Sequence, residues 1–279
     1  MATVVAAGVT SHAPNITARP TIPDMGQRAR FVAGLEELGR RLAAARPDVV
    51  VFFVNDHVQN FFYDNLPAFC VGVGDGYWAP SRGGAEFLKI PARRLPGAVE
   101  WGKALHAAGL AADFDLAVSH ELEFWDDVSV PASFLLKNGS GGVPIVPVLT
   151  NCVAPPLPTP RRCFALGQFV RRFIDARPPG ERVALVGTGG LSHWIGLPGH
   201  GRINPEFDKR VLAAASEGRG ADLAALTFDE IEEHGGNGGQ EIRNWIAVLG
   251  ATSGARGEVL AYEPVTEWLT GCGVVALKV

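Results

Sequence analysis

Three histidines of the 279-residue chain stand just beyond three β-rich apolar runs: His12 after Val4–Val9, His57 after Val49–Val54 and His193 after Val183–Val186. A fourth, His120, follows the shorter segment Phe114–Val118. A neutral imidazole can ligate a metal, and its titration near neutral pH suits it to moving a proton. Taken singly, each is more often a hydrogen-bonded structural histidine, but four at equivalent strand ends argue for one shared site. A carboxylate to complete such a site is offered by HGGNGGQEIRNWIAVLGA, where Asn237 and Gln240 have the spacing of a capping box. That reading sets Glu241 at the end of a first helical turn, where free backbone N–H groups and the helix dipole favour an ionised side chain. Gly235-Gly236 and Gly238-Gly239 on either side of Asn237 allow close backbone approach.

Two imidazoles and one carboxylate on one face of an octahedral ion leave three positions open, the arrangement of non-haem Fe(II) oxygenases. A zinc hydrolase could use the same two histidines and glutamate, although the helical H-E-x-x-H signature of many such enzymes is absent. A metal-free relative acting as a binding protein is the third reading.

The elements that must position these residues form an alternating pattern. Thr3–Val9, Val49–Val54, Phe69–Val73, Val143–Leu149, Val183–Val186 and Gly273–Lys278 read as strands, most of them apolar enough to be covered on both faces. Helices are expected over Gln27–Ala45, Pro96–Leu110, Pro160–Ala176, Pro205–Ser216 and Gly239–Leu249. The pattern predicts an α/β fold: a single layered domain over residues 1–279, with a central mixed sheet flanked by helices. In such sheets chemistry gathers beyond the carboxyl ends of the strands, where the histidines fall. Gly72-Val73-Gly74-Asp75-Gly76 lacks full dinucleotide-loop spacing and reads as a turn; Gly187-Thr188-Gly189-Gly190 reads as a tight bend presenting Ser192-His193. The aromatic run Phe61-Phe62-Tyr63 reads as core ahead of ring pocket.

Composition narrows the function classes. A net charge of −4 with scattered arginine pairs argues against a nucleic-acid partner. No apolar run approaches the roughly 20 residues of a membrane span, and the N-terminus carries no basic leader, so a cytoplasmic protein is expected. Cys70, Cys152, Cys163 and Cys272 are far apart and suggest reduced, buried thiols.

Five short segments complete the reading: Ser11-His12-Ala13-Pro14, Asn55-Asp56-His57, Asn151-Cys152-Val153-Ala154-Pro155-Pro156, Gly189-Gly190-Leu191-Ser192-His193 and Gly239-Gln240-Glu241-Ile242-Arg243-Asn244-Trp245. In this order, spread over nearly the whole chain, they resemble the class III extradiol ring-cleavage dioxygenases, the superfamily of the protocatechuate 4,5-dioxygenase β subunit and 2,3-dihydroxyphenylpropionate 1,2-dioxygenase. The resemblance implies that His12, His57 and Glu241 bind Fe(II), that His193 is the catalytic acid/base and that His120 is a second catalytic pocket histidine. It implies as substrates a catechol, or an aminophenol in its place, and O2, with the ring cut beside the hydroxyls. A homo-oligomer is expected by the same analogy, and a small covering subunit is compatible with it.

Overall fold

Near-continuous apolar sequence becomes the inner strands of one sheet. The computed structural model describes residues 1–137 and 142–279. Its strands are β1 (Thr3–Thr10), β2 (Val49–Val54), β3 (Phe69–Gly72), β4 (Gly76–Ala79), β5 (Arg93–Pro96), β6 (Ala117–Ser119), β7 (Ile145–Thr150), β8 (Arg182–Thr188), β9 (Gly257–Val265) and β10 (Thr270–Leu277). Eight of them form a mixed sheet in the order β6-β3-β7-β2-β8-β1-β10-β9, while β4 and β5 pair separately. The centre is parallel: β7, β2, β8 and β1 run the same way, so their carboxyl ends share one edge.

The helices are α1 (Asn15–Ala18), α2 (Met25–Ala45), α3 (Ala85–Leu88), α4 (Val99–Ala111), α5 (Asp126–Leu135), α6 (Pro160–Ala176), α7 (Pro205–Ser216), α8 (Gly220–Ala224), α9 (Phe228–Gly239) and α10 (Ile242–Ala251). They cover both faces, and alternate residues of β2 show why that strand is wholly apolar. Val51 and Phe53 enter a core with α6 and α10, whereas Val50, Phe52 and Val54 enter the opposite core with α2 and α5. Either face of the strand is dry, so no polar alternation survives in its sequence. Among the described residues, no helix is long and apolar enough to cross a membrane.

The α/β layered architecture and mixed sheet match the sequence expectation; several elements do not. Helix α5 contains Pro131, which ordinarily argues against a helix, but every residue of the run except half-buried Ser133 is buried, and its packing outweighs the lost hydrogen bond. Strand β9, at the sheet edge, is exposed at Glu258 and Val259 and alternates buried and half-buried residues only over its second half, a weaker signal than the central runs. The helix expected from Gly239 begins instead at Ile242, because Gly236 breaks the preceding α9 with a φ of 80°. The expected cap is also corrected: Asn237 spans to Ile195, accepting its N–H and donating to its carbonyl, both at 2.9 Å. Gln240 donates to the Phe228 carbonyl and Glu232, and the capping box belongs to Thr227 and Glu230 at the start of α9.

Helix α10 carries Glu241 at its N-cap position, and its height over the sheet is set by α6. The two helices meet at glycines: a Cβ at Gly167 would lie 1.8 Å from the Ala247 carbonyl oxygen, and one at Gly250 would lie 2.2 Å from that of Phe164. Gly167→Ala is therefore expected to push α10 outward and cost about 1–3 kcal/mol of stability in denaturant unfolding. An unchanged midpoint with unchanged metal content would show that this crossing does not set the position of Glu241.

Candidate metal centre and cavity

The parallel register places Thr10 beside Thr188, and Phe53 beside Gly187, so β1, β8 and β2 end together and their continuations converge. Each continuation is pinned. After β1, Ser11 Oγ accepts the Gly273 N–H at 3.0 Å, tying the residue before His12 to β10. After β2, Asp56 accepts backbone N–H groups of Gln59, Asn60 and Phe61 at 3.0–3.2 Å, and thereby holds Val58 in the left-handed region at φ 59°. A β-branched residue is strained there, so the carboxylate holds a turn that aims His57 at the sheet edge. After β8, Gly189 donates to the Thr10 carbonyl at 3.1 Å, and the bend delivers His193 to the same edge.

These side chains meet on Glu241. Its Oε1 lies 2.9 Å from His57 Nε2 and accepts from Asn55 Nδ2 at 3.1 Å. Its Oε2 lies 3.2 Å from His12 Nε2 and accepts the Gly190 N–H at 2.5 Å. The carboxylate is only 5% exposed. Burial works to raise its pKa, but the charge and hydrogen bonds of His12 and His57 outweigh it and hold the carboxyl well below its usual range. Burial likewise works to lower both imidazoles, and their carboxylate neighbours win: His12 is raised by Glu241, and His57 well raised by Asp126 and Glu241.

The ring nitrogens facing away from Glu241 are also engaged. His12 Nδ1 is 3.1 Å from Thr188 Oγ1, and His57 Nδ1 is 3.2 Å from Asp126 Oδ1. Outer partners of this kind orient metal-binding histidines and fix the proton on the remote nitrogen, leaving the Nε2 lone pairs free. The donors suit an octahedral cation: cis ligands on bonds of about 2.1 Å lie about 3 Å apart, close to the observed 2.9 and 3.2 Å. His12, His57 and Asp126 could also gather round one ion, their donor atoms lying within 4.8 Å of one another. Either carboxylate thus gives a group able to hold a metal. The convergence of both Nε2 atoms on Glu241 favours that residue as the ligand, with Asp126 behind His57.

His193 stands apart from this knot. Its Nδ1 lies 3.0 Å from the Leu191 carbonyl oxygen, which fixes the proton on Nδ1, and its Nε2 lies 4.0 Å from Glu241 Oε2. Burial lowers its pKa, so the ring is neutral at neutral pH. The ring sits in a glycine seat: a Cβ at Gly238 would lie 2.0 Å from His193 Nε2, and Gly236 adopts positive φ under the His193 carbonyl. Ser192, next to it, donates its N–H to buried Asp208 at 2.7 Å, and burial pushes the Asp208 carboxyl up to about 6.

The structure thus brings His12, His57, His193 and Glu241 together and leaves His120 out. His120 is exposed after β6, the outermost strand, with β3 and β7 between it and β2. Phe62 and Tyr63 are exposed, neither core nor cavity. A cavity of about 350 Å³ opens over the four grouped residues, walled by Trp125, Val153, Ile195, Trp268 and Leu269, with Asp126 on its floor beside His57. Sequence reasoning missed Asp126, Thr188 and Asn55 as parts of the site. Asn55 did carry a signal, a polar residue ending an apolar strand; Asp126 lay in a helix that the pattern did not reveal.

The model of the family described as the catalytic LigB subunit of aromatic ring-opening dioxygenase matches residues 6–273. The chain belongs to that family. The family match carries its function, aromatic ring opening by an extradiol dioxygenase, acting on a catecholic substrate and O2. Among its relatives is the 2,3-dihydroxyphenylpropionate/2,3-dihydroxicinnamic acid 1,2-dioxygenase of Klebsiella pneumoniae strain 342, 31% identical across 84% of this chain and 86% of the relative. The enzyme of the same name from Escherichia coli K12 is 30% identical across 85% and 88% of the two chains. A crystal structure of the uncharacterized protein JW3007 from Escherichia coli K12 shares the fold, with a TM-score of 0.61 at 14% identity, covering 98% of this chain and all of that one.

Two substitutions separate the parts of the LigB-family site. Asp126→Ala is expected to weaken metal retention about 10–100-fold in competition with a chelator, by freeing the back of His57; full retention would mean that Asp126 does not orient the ring. Gly238→Ala should displace the His193 ring and suppress turnover while bound metal stays stoichiometric, a combination read from metal analysis beside oxygen uptake.

Proposed function

We propose that the protein is a non-haem Fe(II) extradiol dioxygenase in which His12, His57 and Glu241 hold the ferrous ion and His193 moves the proton. The observation that carries this reading is the meeting of two imidazole Nε2 atoms on one buried carboxylate, with a third, neutral imidazole 4.0 Å from it and a ring-sized cavity above. Bound iron would polarise a catechol's oxygens and bring the ring and O2 together. The protein's own part is derived from its residues. Gly190 and Asn55 keep the Glu241 carboxylate ionised and fixed, while Thr188 and Asp126 hold the two imidazoles with their Nε2 lone pairs forward. His193 Nε2, unprotonated because burial lowers its pKa, accepts a phenolic proton and can return it as the ring opens. Trp125 and Trp268 offer flat apolar surface to an aromatic ring and keep water from it.

His120 has no part in this reading, because its side chain lies outside the cavity. The free and buried state of Cys70, Cys152, Cys163 and Cys272 supports a reducing, cytoplasmic setting. Assembly as a homo-oligomer stays with the family resemblance and is testable by light scattering.

Protein purified anaerobically and loaded with ferrous iron is expected to consume O2 in the presence of a catechol and release a yellow ring-opened product; no uptake with any catechol or aminophenol would overturn the reading. His193→Phe should keep its iron and lose about 10²–10⁴-fold in turnover. The sign of the pH dependence follows from His193: its protonation on acidification removes the base, and burial lowers its pKa, so the acid limb of kcat/KM should fall below the ordinary imidazole value of 6.5. An acid limb above that value would assign the limb to another group.

A further inference from the structure

The substituent that accompanies the catechol ring can be read from the charges around the cavity. This inference rests on the dioxygenase function proposed above and extends it to the substrate. The walls are largely apolar, with Val153, Ile195 and Leu269 beside the indoles of Trp125 and Trp268, and the polar side chains among them, Asn15, Gln59, Asn237 and Thr270, are uncharged. The acid Asp126 lines the same space. Among the described residues, the lining includes neither lysine nor arginine. The one buried arginine near the wall is occupied elsewhere: Arg243, close to Cys152, donates from Nε to the Pro158 carbonyl at 2.7 Å and from Nη1 to the Gln240 carbonyl at 3.0 Å. The charge of a bound ferrous ion would be offset by Glu241 and by the catechol's own oxygens, so an anionic side chain entering this cavity would lose its water, find no lysine or arginine, and face the Asp126 carboxylate; burying an unpaired charge beside one of like sign is strongly unfavourable.

We propose that this enzyme opens catechols whose ring substituent is uncharged and apolar, and that it discriminates against the carboxylated side chain in the name of its Klebsiella and Escherichia relatives. Trp125, Trp268 and Leu269 supply contact for the substituent, and Asp126 supplies the exclusion. Asp126 thus acts twice, orienting His57 through one oxygen and setting the negative potential that a substrate tail meets.

The test compares 2,3-dihydroxyphenylpropionate with its methyl ester, which match in ring and chain and differ in charge, using iron-loaded protein at neutral pH. The ester is expected to show a kcat/KM at least about tenfold higher. Under anaerobic conditions the ester should also raise the thermal midpoint more than the acid does at equal concentration. Turnover of the acid equal to or better than the ester would overturn this proposal and leave the dioxygenase reading intact. Absence of turnover with acid, ester and unsubstituted catechol alike would overturn both. Ile195→Lys, which puts a cation at the half-exposed rim, should shift the preference back toward the acid; an unchanged ratio would show that charge at the cavity is not the discriminant.

Discussion

The structure turns on one buried carboxylate. Glu241 has almost no contact with solvent, yet its negative charge is stabilised from four directions: two imidazoles, a backbone N–H and a side-chain amide. Desolvating an ionised carboxylate without such partners costs several kcal/mol. The fold therefore has to deliver four separate segments to one point within a few tenths of an ångström. The parallel centre of the sheet does so, because three adjacent strands ending on one edge release three chain segments within reach of one helix start.

A second tier of contacts makes that delivery stiff. Asn244, one turn into α10, donates to Asn55 at 2.9 Å, so the helix that carries Glu241 is locked to the strand end that carries His57. Arg243 and Gln240 tie the same helix start to the Pro158 loop and to α9. Close glycine crossings of α6 and α10 leave no slack beneath it. A rigid frame of this kind holds ligands in place before an ion arrives, so little ordering remains to be done on binding.

The same charge distribution shapes what the cavity accepts. The two imidazoles of the site must give up their protons to ligate a cation, and the carboxylates of Glu241 and Asp126 leave the cavity floor rich in acidic groups. Indole and aliphatic walls complete a space suited to an aromatic ring, while the His193 imidazole stands at the side, neutral because it is buried. Charge and protonation state thus follow from a contest between burial and charge pairing: burial wins at His193, and the neighbouring charges and hydrogen bonds outweigh it at Glu241, His12 and His57.

Much of this was legible before any coordinates. His12, His57 and His193 announce themselves because a dry strand is uniformly apolar and its last residue is where polarity can resume, and Glu241 because glycines flank its helix start. His120 obeyed the same local rule but is exposed and does not line the cavity, since the strand before it took the outer edge of the sheet, a choice made by pairing between distant segments. Asp126 could not be found locally, for its role exists only where α5 meets the loop after β2. Sequence by itself determined the periodicities, and hence the layers and the strand ends. Tertiary structure alone decided strand order, and with it which polar groups share one buried charge, because that selection depends on distances between segments far apart along the chain.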